Sequence, residues 1–330
     1  ELIMAFTTID NPELYFQVKL YAGNSSTQAI TLDGSEDMQP DFVWIKNRND
    51  GSNQSHGLYD SVRGATKFWQ SNSTAGEATD SNGLTAFGSD GFTLGNSAEE
   101  NTGFNYSAFC WKESATPGFD IVSYTGNGSA RTISHNLSAV PEWMLIKKTS
   151  GTDAGAVYVG ANGNTNGLLI SGTNANDDEL YWNDTTPTSS VFTLGTLSNV
   201  NQNSETYIAY LFAPKQGFSK FGTYVGNANT DGTFVYTGFR PAWVLCKKSS
   251  GTGNWNITDT KRNTGNPHGK QFEANASIAE FDSVRLDILS NGFKHRATGS
   301  DLNGSGTSYI FIAFAEAPFV NSKGVPCNAR

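Results

Sequence analysis

Four short phrases each occur three times along this 330-residue chain, in the same order and about 100 residues apart. A YxGN phrase begins at Tyr21, Tyr124 and Tyr224. A proline-led apolar run follows it: PDFVWIK from Pro40, PEWMLIK from Pro141 and PAWVLCK from Pro241. Next come GFTLG, VFTLG and GFKHR around Phe92, Phe192 and Phe293. The last phrase is YSAFCW, YIAYLF and YIFIAF from Tyr106, Tyr207 and Tyr309. Four landmarks that keep order and spacing mark an internal repeat, so the chain must fold as copies of one small unit. The predicted boundaries are a leader over 1–14 for assembly or anchoring, units over 15–116, 117–216 and 217–320, and a tail over 321–330.

Inside a unit, seven or eight short runs rich in aromatic and β-branched residues alternate with Gly, Asn, Asp and Ser clusters, and no stretch keeps a period of 3.6. The expected fold is therefore all-β: three tandem β-sandwich repeats of jelly-roll or concanavalin-like type. The segment YTGNGS (Tyr124 to Ser129) has the glycines of a phosphate-binding loop but no GK[ST] lysine, and a strand follows it. It reads as a turn, with Asn-Gly and Gly-Asn supplying the positive φ of a tight hairpin.

The strand after the repeated proline is apolar on both faces. Phe42 and Trp44 oppose Val43 and Ile45, Trp143 and Leu145 oppose Met144 and Ile146, and Trp243 and Leu245 oppose Val244 and Cys246. The closing strand behaves likewise, with Ile208, Tyr210 and Phe212 opposing Tyr207, Ala209 and Leu211. A strand apolar on both faces is buried on both. One 100-residue sandwich covers only one of them, so a neighbouring unit or another subunit must cover the other. A homo-oligomer is expected, a trimer around a threefold axis.

Composition narrows the function classes. The net charge is −9 and only 16% of residues are charged, so nothing offers a nucleic acid the clustered Lys and Arg it would require. No apolar run is long enough to enter a membrane, and the N-terminus lacks the basic and apolar regions of a secretion signal. Cys110, Cys246 and Cys327 lie far apart without a CxxC spacing, and no disulfide is expected.

The remaining residues carry few catalytic signatures. His56, His135, His268 and His295 show no metal-ligand spacing, and there is no GxSxG elbow. No cofactor and no enzymatic activity are expected. Asp177, Asp178 and Glu179 form a weak calcium candidate without the ordered EF-hand spacing. Asp60 and Arg63 recur as Asp259 and Arg262, whereas unit two has Val159 and Asn162 there. These pairs, with Trp69, are candidates for a ligand site or for a structural bracket at a strand end. Trp69, Trp182 and Trp255 stand nearer turns than Trp44, Trp143 and Trp243, where packing competes with stacking on a sugar.

The phrases PDFVWIKNR, LYDSVRGATKFWQSNS, LTAFGSDGFTLG and YSAFCWK of unit one, and YTGNGS with PEWMLIKK of unit two, resemble a repeat of tail-fibre and virion-appendage proteins of marine tailed bacteriophages. The resemblance implies a concanavalin-like sandwich and a structural role on the virion, with no catalytic residues to transfer. Other virion proteins, further copies of the chain and a host cell-surface glycan are the partners it implies. The alternatives are a capsule-degrading glycosidase acting through Asp60 or Asp259, a head decoration protein, and a secreted lectin-like module.

Overall fold

The computed structural model describes residues 6–49 and 54–327. The first third contributes β1 (Phe16–Ala22), β2 (Gln28–Thr31), β3 (Phe42–Asn47), β4 (Gly57–Asp60), β5 (Lys67–Trp69), β6 (Ala78–Thr79), β7 (Leu84–Gly88), β8 (Gly91–Leu94) and β9 (Asn105–Trp111). The second contributes β10 (Phe119–Thr125), β11 (Arg131–Ser134), β12 (Trp143–Lys148), β13 (Ala156–Val159), β14 (Asn166–Leu169), β15 (Asp177–Asp178), β16 (Val191–Leu194) and β17 (Thr206–Phe212). The third contributes β18 (Ser219–Val225), β19 (Phe234–Tyr236), β20 (Phe239–Lys248), β21 (Trp255–Asp259), β22 (His268–Glu273), β23 (Phe281–Leu289), β24 (Gly292–His295) and β25 (Ser308–Pro318).

The strand order recurs from third to third. The large sheets run β1-β9-β3-β4-β5-β6, β10-β17-β12-β13-β14-β15 and β18-β25-β20-β21-β22-β23-β24-β19. A smaller sheet lies over each: β2-β8-β7, then β11-β16. In the last third β23 is long enough to pair with both β22 and β24, so the two layers join into one sheet of eight strands. The fold is an all-β sandwich architecture with antiparallel pairing.

The two faces of the central strands go to different cores. Val43, Ile45, Ala108 and Cys110 pack under the small sheet of their own sandwich, as do Met144, Ile146, Ala209 and Leu211, and Val244, Cys246, Phe311 and Ala313. The opposite faces, carrying Phe42, Trp44, Trp143, Leu145, Trp243 and Leu245, enter one core shared by all three large sheets. At its centre Trp111, Phe212 and Phe314, the last inward residues of β9, β17 and β25, form a triangle with ring centroids 5.5, 5.6 and 6.3 Å apart. The second face needs a cover from another unit or another subunit. It is another unit, and the threefold relation expected between subunits is found inside one chain. The double burial therefore gives no reason to invoke a second copy.

The loop after β5 in each sandwich bonds backbone to backbone with the β3–β4-type loop of the next. Glu77 N donates to Thr149 O, Asn176 N to Ser249 O and Glu280 N to Arg48 O, at 2.8, 2.9 and 3.1 Å. The third contact returns to the first sandwich, so the arrangement is a closed ring. The leader and tail meet at the closure, where Ser322 N donates to Asp10 Oδ1 at 2.7 Å.

The YxGN phrase is a corner between the two layers of a sandwich and not the expected hairpin, because the strands on either side of it pair with other strands and not with each other. Its glycine is demanded by close approach. A Cβ on Gly23 would lie 1.8 Å from Thr102 O, on Gly126 2.2 Å from Gln202 O, and on Gly226 2.4 Å from Gly304 O. The corner is held by a buried asparagine in each sandwich. Asn101 Oδ1 accepts from Asn24 N, Asn201 Oδ1 from Asn127 N and Asn303 Oδ1 from Asn227 N, all at 3.0 Å. The tyrosine of the phrase stacks on the tyrosine that opens the closing strand, at 5.1, 5.1 and 4.9 Å.

Ring closure predicts that the covalent break can move. A circular permutant opened between Thr116 and Pro117, with a short flexible linker joining residue 1 to residue 330, is expected to unfold in one cooperative transition within a few degrees of the parent. Separate calorimetric transitions for the three sandwiches would contradict the shared core.

Candidate functional site

Asp60 ends β4 and Arg63 follows in the turn, so a carboxylate and a guanidinium three residues apart face each other across one bend. Asp60 is wholly buried and accepts from Arg63 N at 2.8 Å and Arg63 Nε at 2.5 Å. Arg63 also donates to Leu58 O at 3.0 Å. Arg63 Nη1 also reaches Glu77 Oε2 at 3.5 Å, and one partner comes from the second sandwich: Tyr210 Oη donates to Asp60 Oδ2 at 2.7 Å and accepts from Trp69 Nε1 at 3.0 Å. Burial and the neighbouring carboxylate hold the Tyr210 phenol well above its usual range.

The third sandwich repeats the bracket. Arg262 N donates to Asp259 Oδ1 at 2.9 Å, Arg262 Nε bonds Asp259 Oδ2, and Arg262 Nη2 donates to Ile257 O at 3.0 Å. The guanidinium lies 3.9 Å from the centre of the Phe272 ring, in cation–π contact. In the second sandwich Val159 takes the place of the aspartate and joins the shared core. The structure thus brings Asp60, Arg63 and Trp69 together, and Asp259 with Arg262, as closed brackets at the seams. Both aspartates have no exposed surface, and their lone pairs already accept hydrogen bonds.

Trp69, Trp182 and Trp255 are as deeply buried as the mid-strand tryptophans. Their indole N–H groups donate to Tyr210 Oη, Asn166 O and Leu169 O, so none offers a face to a sugar. Asp177 and Asp178 lie exposed on β15, where Asp177 accepts from Tyr181 Oη at 3.3 Å. Among the described residues no group of three or more His, Cys, Asp or Glu converges as a metal site would require, so the calcium candidate is not assembled. Cys110, Cys246 and Cys327 are free thiols.

Sequence reasoning missed a set of buried lysines. Lys46, Lys147 and Lys247 follow the doubly apolar strand and, by alternation, point with Trp44, Leu145 and Leu245 toward the shared core. Each is fully buried and ends on carbonyls of a different sandwich. Lys46 Nζ donates to Ser277 O at 3.0 Å, Lys147 Nζ to Thr74 O at 2.9 Å and Lys247 Nζ to Asn174 O at 2.8 Å. An ammonium has three donors, so it can join carbonyls of two sandwiches at once. Burial pushes the amines of Lys147 and Lys247 down to about 8. The readable signal was a charge on a buried face in all three copies.

His56 is likewise structural. Its Nδ1 accepts from Trp44 Nε1 at 2.9 Å, which assigns the proton to Nε2, 3.1 Å from Glu273 O of the third sandwich. Burial keeps this ring well below the usual imidazole range.

A cleft lies at the seam where the ring closes. It holds about 260 Å³ between β1 and the β20–β25 pair, lined by Glu13, Gln17, Arg240, Lys261, Thr264 and Glu316. Arg240 Nε donates to Glu316 Oε2 at 3.0 Å, so its cation is already paired. A sequence-family match spans residues 11–318, from ahead of β1 to the last residue of β25.

The chain belongs to the family described as a domain of unknown function (DUF7483). The match covers all three sandwiches of this chain. No curated protein matches the chain. Among solved structures, the STIV MCP is similar over 59% of this chain and 85% of its own, at 9% identity and a TM-score of 0.18, a level that implies no common fold.

Asp60→Ala strands a buried guanidinium and the Tyr210 hydroxyl, and is expected to cost about 3–5 kcal/mol in urea unfolding. Glu100, buried and hydrogen-bonded to Ser97 Oγ, is pushed up to about 7 by burial. A raised carboxyl stabilises fully below about 4.5, its unfolded value, and that stability is lost as pH rises through 7. Glu100→Gln is therefore expected to gain on the parent by roughly 3 kcal/mol between pH 4.5 and 8. A pH-independent difference would refute the assignment.

Proposed function

We propose that the chain is a non-enzymatic structural and adhesive protein of a bacteriophage virion: a tail fibre, a spike or a capsid appendage. On this reading it is made in the host cytoplasm, is carried on the extracellular particle among other virion proteins, and meets glycans of the host surface. The observation that carries the reading is the placement of the reactive side chains. Asp60 and Arg63, through Tyr210, and the three buried lysines join one sandwich to the next, and Asp259 and Arg262 are spent on a buried bracket within the third, as a load-carrying module requires and a hydrolase does not. Assembly into a homo-oligomer belongs to the same proposal and stands on the resemblance to appendage proteins, because the ring covers its own strands. No helix among the described residues is long and apolar enough to cross a membrane.

A labelled antibody against the protein, applied to purified particles in negative stain, is expected to decorate one defined place on the virion. Particles that carry no label would end the virion reading. Release of oligosaccharide from host capsule, abolished by Asp259→Asn, would overturn the non-enzymatic part.

A further inference from the structure

The third sandwich differs from its two neighbours at one edge. On the short outer strand the exposed positions flanking the buried residue are Ala29 and Thr31 around Ile30 in β2, and Thr132 and Ser134 around Ile133 in β11. In β19 they are Phe234 and Tyr236 around Val235, and the two rings are 44% and 49% exposed. Residues two apart on a strand share a face roughly 6.6 Å from one another, so the rings form a short platform.

A second, independent exchange lies beside it. The edge strand of the large sheet carries Lys19 opposite Ala108 in the first sandwich and Val122 opposite Ala209 in the second, but Gly222 opposite Phe311 in the third. The bulk has moved from the edge strand to its neighbour. A Cβ on Gly222 would lie 2.9 Å from the Phe311 ring, so the glycine is what admits that ring. The result is a recess of about 230 Å³ between β18 and β19, lined by Lys220, Gly222, Thr223, Phe234, Tyr236 and Phe311. Lys220 spans its mouth, with Nζ 5.1 Å from the Tyr236 ring centre and 2.8 Å from Tyr236 O. In the first sandwich the position of Gly222 is held by Lys19, which pairs with Asp33 at 2.5 Å.

The geometry points to a saccharide-binding site in this recess, taking one or two sugar rings at the end of a glycan. The inference rests on the glycan contact proposed above. Aromatic faces suit the C–H faces of a pyranose, and the ammonium has donors left for ring hydroxyls once Tyr236 O is served. The recess is smaller than the 300 Å³ or more typical of sites for drug-sized molecules. A protein partner would need about 800 Å² of contact on each side, far beyond two side chains. A nucleic acid would meet a single lysine on a chain of net charge −9.

The test uses the full chain, labelled with 15N, and methyl glycosides and short capsular oligosaccharides added up to tens of millimolar. Amide shifts are expected at Lys220, Thr223, Phe234 and Tyr236. Phe234→Ala and Tyr236→Ala should each weaken binding about tenfold or more, while Ser134→Ala on the second sandwich leaves it unchanged. Both rings are exposed, so melting temperatures close to the parent's should show that the variants fold. Sugar shifts elsewhere, or unchanged affinity in both variants, would remove this site and leave the glycan contact standing. No shift with any sugar would remove both, and the virion reading would still be decided by the labelled particles.

Discussion

Everything in this molecule depends on the shared aromatic core on which the three large sheets converge. A sheet in a lone sandwich hides one face and shows the other to water. Here Trp111, Phe212 and Phe314 meet at the centre, and Phe42 lies 4.4 Å from Tyr210 and Phe119 4.3 Å from Phe212. No sandwich can leave without exposing its inward face, so the three act as one body. The deep burial of β3, β12 and β20 and their continuous apolar letters are two views of the same fact.

A core of that kind leaves its rim to be sealed. Loop carbonyls at the seams, those of Ser277, Thr74 and Asn174, need donors. The buried lysines supply them across each seam, and the Asp–Arg brackets fix the turns beside them. The seams are not identical. The first uses Asp60 with Tyr210, the second places Val159 in the core, and the third sets Arg262 against Phe272 and ties Glu280 to Arg48. The common requirement is satisfaction of buried groups, and polar networks and apolar packing meet it equally.

Where the copies diverge without a packing reason, function is the better place to look. The platform of Phe234 and Tyr236 leaves two aromatic rings in water, which the first two sandwiches avoid with Ala, Thr and Ser. The paired exchange of Gly222 and Phe311 reshapes the same edge while keeping the interior filled. The tryptophans that looked nearest to turns proved to be inside, and the exposed rings belong to a segment that composition and motif reasoning passed over.

Much of the fold was legible in the letters. The period of about 100 residues, the strand runs of the first unit and the alternation of β12 and β17 are local properties, because a strand's side chains point to opposite faces whatever lies beyond them. The lysine on an inward position was legible too, had charge on a buried face been asked about in all three copies. The letters did not show what stands across each face. Asp60 finds Tyr210 150 residues away, and no spacing rule anticipates that partner. They also read the YxGN glycines as hairpin residues, when the carbonyl of a distant loop, close against the backbone, is what excludes a Cβ. The sequence by itself determined a triplicated strand module with two apolar faces. Only the tertiary structure decided that the chain covers the second face itself, because which surfaces meet depends on long-range packing that local pattern does not encode.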